Sequence, residues 1–182
     1  HIDLRIESNL AAGMSPAERA TLAHSIVSHL EAAEVLAPSV LPETKRQQIT
    51  RAWAALNFDD GERPELQFRA SPALGAGVLA LPDGSLVLLD RSVALARNDQ
   101  QLVALIAHEF GHARRDHALK LILRERPGAA VSIWLHHDST ELTAAAAQVF
   151  LQWHYPHAME READIQAAAL LRASTIDPAR LS

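Results

Sequence analysis

The sequence predicts an α+β fold, mostly helical, with a small β-sheet beside one strongly helical stretch. Three observations carry this. Hydrophobic residues make up 48% of the chain but aromatics only 4%, an Ala/Leu-rich core of the kind packed helices build. Capping residues and prolines stand where apolar stripes with helical spacing begin. One segment, Val78–Leu89, places two apolar runs around a Pro-Asp-Gly-Ser turn, the pattern of a β-hairpin. A chain of 182 residues has the length of one domain with a sizeable core. It divides into an N-terminal helical part, 1–62, and a core part, 63–182.

In order, Ile2, Leu4 and Ile6 alternate with polar residues, a short strand or arm. Ser15-Pro16-Ala17-Glu18 is a capping box with Pro at the first helical position. It opens a helix to about Leu36, with Leu22, Ile26, Val27 and Leu30 as its apolar stripe. Pro38 and Pro42 interrupt the chain before a second helix from about Glu43 to Leu56. Asn57 to Pro64 is a polar turn, and Leu66 and Phe68 begin a strand that ends near Pro72. The hairpin pairs Val78–Leu81 with Leu86–Leu89, and its second strand is apolar throughout, which predicts burial on both faces. Asn98 or Asp99 caps a helix to about Arg124, ended by Pro127-Gly128. Two apolar pieces follow, Ala129–Leu135 and Leu142–Trp153, divided by a polar break that holds His136 and His137. Trp134, Phe150 and Trp153 read as core or as a docking face. A final helix runs from about His157 to Ala173. The helices are expected on one side of the sheet, with the Asn98–Arg124 helix beneath its edge.

Composition excludes several classes. Without cysteine, a disulfide framework and any Cys-based zinc finger are impossible. A formal charge of −5 with no Lys/Arg cluster is not the footprint of a nucleic-acid binder. No apolar run reaches the 18 or more residues of a membrane-spanning helix. The chain opens at His1 rather than Met, and Asp177-Pro178 looks like a helix start cut off at Ser182. Both lead us to expect a fragment of a longer protein. Ten histidines are the one unusual count.

His108-Glu109-Phe110-Gly111-His112 is an H-E-x-x-H motif. Positions i and i+4 share a helix face, so both imidazoles can reach one zinc ion from a rigid support. Glu109 lies one position on, placed to take a proton from an attacking water. Random placement at this composition gives roughly 0.04 such motifs per chain. Leu102, Val103, Leu105 and Ile106 just before it put the motif on a buried helix. A catalytic zinc needs a third protein ligand and an open position. A third histidine six residues on would fall at position 118, which is Ala118, and His117 on an unbroken helix points to another face. The other solution is a glutamate from a second helix, and Glu160-Arg161-Glu162-Ala163-Asp164 supplies it. Glu160 and Asp164 share a face, so Glu160 can ligate while Asp164 accepts the free ring N–H of a ligand histidine, taken to be His108. Glu162 lies about 200° round the helix from Glu160 and cannot be a ligand of the same kind.

These residues resemble the HtpX-like and CAAX-prenyl-protease-like gluzincin metallopeptidases. The match consists of Ala107–His112 with His117 downstream, Glu160–Asp164, and the hairpin Ala80–Val87, within a stretch from Leu66 to Leu181. The resemblance implies a zincin-like fold and a zinc-dependent endopeptidase with one Zn2+ per chain. It carries over His108, His112 and Glu160 as ligands, Glu109 as base and Asp164 as support. It also implies a soluble catalytic domain of a membrane-associated protein in the bacterial cell envelope, concerned with protein quality control. A membrane anchor or partner would lie in other parts of that protein. Two departures touch substrate positioning: Pro156 and His157 stand where the family often has Ser-Arg, and Gly77 where it commonly has Asn. Relatives that thread two membrane spans between the motifs differ in a third way, because the two apolar pieces here are too short.

In the reading that follows, an extended protein or peptide substrate adds as a strand along Val78, Leu79, Ala80 and Leu81. His157 and Tyr155, just before or at the start of the ligand helix, are the candidate oxyanion donors. The competing reading is a zinc-binding, catalytically weak holding or assembly module of the same fold.

Overall fold

The computed structural model describes residues 11–58, 63–125 and 154–174. The expectations for the Ile2–Ile6 segment, for 126–153 with its apolar pieces and histidines, and for the Asp177-Pro178 helix start lie outside them.

Helix α1 spans Pro16–Ala32. Its capping box forms in both directions: the Ser15 hydroxyl accepts from the Glu18 N–H at 3.3 Å, and the Glu18 carboxylate accepts from the Ser15 N–H at 2.7 Å. Leu22, Ile26, Val27 and Leu30 are buried. The helix stops four residues short of Leu36. Glu34 takes a positive φ of 57°, and the N–H groups of Val35 and Leu36 both return to the Leu30 carbonyl. That turn keeps Leu36 in the core and steers the chain into β1, Ala37–Pro38. Helix α2 follows, Glu43–Ala54.

Strands β2 (Leu66–Ala70), β3 (Val78–Ala80) and β4 (Leu86–Leu89) complete a four-stranded sheet in the order β1-β2-β4-β3. The hairpin is antiparallel, with Val78 opposite Leu88 and Ala80 opposite Leu86, whereas β2 runs parallel to β4. Strand β4 is internal and its four residues are buried on both faces. A short helix, α3 (Asp90–Leu95), leads to α4 (Asp99–Arg114), whose N-cap Asn98 accepts from the Gln101 N–H. Helices α5 (His117–Glu125) and α6 (His157–Ala173) complete the described elements.

Helices cover both faces of the sheet, not one. Leu79, Leu81, Val87 and Leu89 join α1 and α5 in one core cluster. Val78, Ala80, Leu86 and Leu88 join α2, α4 and α6 in the other. The reason lies in β4: with alternate side chains on opposite faces, a wholly apolar strand must be covered twice.

The expected Asn98–Arg124 helix is broken into α4 and α5. Asp116 takes a φ of 54° and its carbonyl accepts the Lys120 N–H, opening α5 in a new direction. Asp is one of the few residue types that visit this left-handed region. Arg19 on α1 holds it, donating from Nη1 at 2.5 Å and Nη2 at 3.2 Å. The same guanidinium also donates to the carbonyls of Met14, Pro82 and Ala11, tying α1, the hairpin turn and the helix break together.

Candidate metal centre

Helices α4 and α6 cross at closest approach where Gly111 meets Ala163. A Cβ built on Gly111 would stand 2.5 Å from the Ala163 carbonyl oxygen and 2.8 Å from its Cα. No side chain fits, so glycine sets how near the two helices lie. This crossing brings the H-E-x-x-H face of α4 against the acidic first turns of α6.

Donor atoms of His108, His112 and Glu160 lie within 4.8 Å of one another. The two Nε2 atoms are 3.1 Å apart. Glu160 reaches them with Oε2 at 3.3 Å from His108 and Oε1 at 3.8 Å from His112. The other ring nitrogens face away from this centre toward further partners. Nδ1 of His108 is 2.9 Å from Asp164 Oδ1. Nδ1 of His112 is 2.9 Å from Nδ1 of His117, whose Nε2 lies 3.4 Å from Glu162 Oε2. The Tyr155 ring stacks on His112, with centroids 3.8 Å apart and planes 21° from parallel.

The centre is graded from dry to wet. His112, His117 and Glu109 are buried, while Glu160 and His108 are partly open to solvent. Burial pushes the Glu109 carboxyl up to about 8, with the neighbouring Glu160 charge adding to the shift. Among the described residues, Glu109 Oε2 is buried without a hydrogen-bond partner. Burial drives His112 down to about 3, helped by the nearby His117 and His108. The ring is thus a neutral imidazole, the form that binds a metal. His117 is also lowered, chiefly by burial and against the pull of Glu162. Burial raises the Tyr155 phenol, and the Glu109 and Glu160 charges raise it further, so its hydroxyl keeps its proton.

This set fits a zinc ion. Two borderline imidazole nitrogens and one hard carboxylate oxygen are a donor set that zinc takes, and three ligands leave a position open. A divalent cation would also offset the negative charge of Glu160 and favour the ionised form of Glu109.

The structure therefore brings His108, His112, Glu160, Glu109, Asp164 and Tyr155 into one cluster. His157 is the exposed first residue of α6. Val78, Leu79 and Ala80 form the edge strand next to α4, and Leu81 follows them. The expectation that His117 points to another face is overturned, because the break at Asp116 swings its ring onto His112. Glu162, set aside as a ligand, faces that same ring. The signal that could have exposed both was Asp116, a residue that tolerates positive φ and opens helices, directly before His117.

Residues 42–182 match the family model described as Peptidase family M48. Over 137 residues the chain is 26% identical to mitochondrial metalloendopeptidase OMA1 of Arabidopsis thaliana, a match that covers 75% of this chain and 28% of that protein. The chain thus spans little more than a quarter of that relative's length.

Proposed function

The chain belongs to peptidase family M48, and on that footing we propose that it is a zinc-dependent endopeptidase of the gluzincin type. His108, His112 and Glu160 are the ligands of one Zn2+, and Glu109 is the general base. The observation that carries the reading is the convergence of the three donor groups beside a buried carboxylate oxygen that has no hydrogen-bond partner among the described residues. Held by these three residues, zinc would supply Lewis-acid polarisation for a water and a scissile carbonyl.

The residues of the chain do the rest. Glu109 accepts the proton of the attacking water as oxygen bonds to the carbonyl carbon. It then hands that proton to the departing amine nitrogen as the C–N bond breaks. Asp164 fixes the His108 ring by accepting from Nδ1. Tyr155, protonated and close to both carboxylates, is the assigned donor to the oxyanion, with His157 at the start of α6 as the second candidate.

Substrate enters as a strand beside β3. Gly77 and Leu81 bond to β4 through Leu89 and Ser85. By the alternation of an antiparallel ladder, the N–H and C=O groups of Val78 and Ala80 then face away from β4; both residues are buried, so a peptide pairing there displaces what covers them. An extended peptide pairing there is read through its backbone, which suits unfolded or loop segments. Within the family, the resemblance to HtpX-like and CAAX-prenyl-protease-like enzymes favours a membrane-associated role in envelope protein quality control. OMA1 is by its name a metalloendopeptidase, which accords with an internal-cleavage activity. Among the described residues, no helix is long and apolar enough to cross a membrane.

The test compares wild type with Glu109→Gln on casein, with zinc content measured alongside. Cleavage by wild type alone, with zinc in both, is expected. Equal cleavage by the two proteins would refute the role of Glu109. Zinc in both and cleavage by neither would favour the holding or assembly module.

A further inference from the structure

We propose that His117 and Glu162 are positioning residues for the buried ligand His112, through a directed chain of hydrogen bonds that ends on α6. The proposal rests on the metal reading above and extends it to residues that do not touch the metal.

The geometry determines the direction of every bond. If His112 offers the lone pair of Nε2 to a metal, its Nδ1 must carry the hydrogen. The atom facing Nδ1 at 2.9 Å is Nδ1 of His117, which must then accept. A neutral His117 that accepts at Nδ1 carries its hydrogen on Nε2, and that nitrogen faces the Glu162 carboxylate at 3.4 Å. Each atom in the chain has one consistent role, and reversing any bond would protonate the nitrogen that must ligate. His117 is 1% exposed. A buried polar ring held at both nitrogens is fixed in orientation, and it fixes His112 in turn.

The two ligand histidines thereby receive the same kind of support by different routes. His108, nearer solvent, reaches its carboxylate directly through Asp164. His112 lies too deep, so a second imidazole spans the gap to Glu162. Ala163, locked against Gly111, sits between the two carboxylates: at 100° per residue, Glu162 projects to one side and Asp164 to the other.

The test measures zinc affinity by chelator competition at constant pH, and ring tautomers by 15N NMR of the zinc-loaded protein. Wild type is expected to show His112 protonated on Nδ1 and His117 on Nε2. Replacement of His117 by Leu removes the acceptor and should weaken zinc binding by roughly 10–100-fold. His117→Asn, which restores an oxygen near the Nδ1 position, should recover most of that loss. Glu162 is half exposed, so Glu162→Ala leaves the fold intact and should weaken zinc a few-fold. Three results overturn the proposal: His117 protonated on Nδ1, wild-type zinc affinity in His117→Leu, or no recovery in a folded His117→Asn. The tautomer measurement needs no variant, so it decides the matter even if His117→Leu does not fold. Failure of wild type itself to bind zinc would instead sink the metal reading, and this proposal with it.

Discussion

Replacing Gly111 with Ala should damage the metal centre without touching a single group in it. The added Cβ would stand 2.5 Å from the Ala163 carbonyl oxygen and 2.8 Å from its Cα. Ordinary contact needs about 3.5 Å, so α4 and α6 must separate by about 1 Å. Neither clashing group can rotate away, because both belong to the α6 backbone. Overpacking of this kind costs about 1–3 kcal/mol, partly offset by about 1 kcal/mol of better helix propensity. Net destabilisation of up to about 2 kcal/mol lowers Tm by up to roughly 8 °C at this chain length. The larger effect falls on the site. Glu160 and Asp164 ride on α6 while His108 and His112 ride on α4, so the separation adds to distances that are now 3.3 Å and 2.9 Å. A displacement of this size is worth on the order of 100-fold in rate. Thermal unfolding, chelator competition and casein cleavage should be measured on the same preparation. A folded Gly111→Ala protein with wild-type zinc affinity and wild-type rate would refute the claim that this crossing sets the site.

Glu109→Gln should keep its zinc and lose cleavage by roughly 100–10,000-fold, the usual contribution of a general base; parallel metal analysis and casein assays check it. Glu160→Ala should lose zinc during dialysis against a chelator that leaves wild type loaded, as metal analysis would show. Arg19→Ala frees Asp116 and three carbonyl partners; a loss of about 1–3 kcal/mol is expected in denaturant unfolding, and an unchanged midpoint would disprove its anchoring role. Stripping zinc should lower Tm, by roughly 8–16 °C where free zinc had stood at 1,000 times its Kd.

Local signals in this sequence read through to the structure. The Ser15–Glu18 box, the Asn98 cap, the hairpin register and α6 all depend on residues within a few positions of each other. Grouping His108, His112 and Glu160 needed only helical spacing and the ligand needs of zinc. His117 failed for a physical reason. Periodicity assumes a continuous helix, and the break at Asp116 is held by Arg19, 97 positions away in the chain. The parallel pairing of β2 with β4 is equally non-local, since nothing in Leu66–Ala70 names its neighbour. Cover on both faces was within reach, because the all-apolar run Leu86–Leu89 already required it. The error lay in expecting a sheet buried on both faces to be served by helices on one.

One interface governs the candidate site. Glu160, Glu162 and Asp164 all come from the first two turns of α6, and each meets a histidine carried by α4 or by its continuation α5. Sliding or rotating α6 would therefore disturb the proposed ligand Glu160 and the proposed supports of His108 and His112 at once. Gly111 against Ala163 fixes the spacing of that interface, and Asp116, held by Arg19, fixes the angle at which His117 enters it. Tyr155, stacked on His112 just before α6 begins, ties the entry of that helix to the same ring. Metal affinity and substrate turnover should consequently fail together when this packing is altered and separately when Glu109 alone is changed. That contrast distinguishes a residue that moves protons from the framework that holds the ligands.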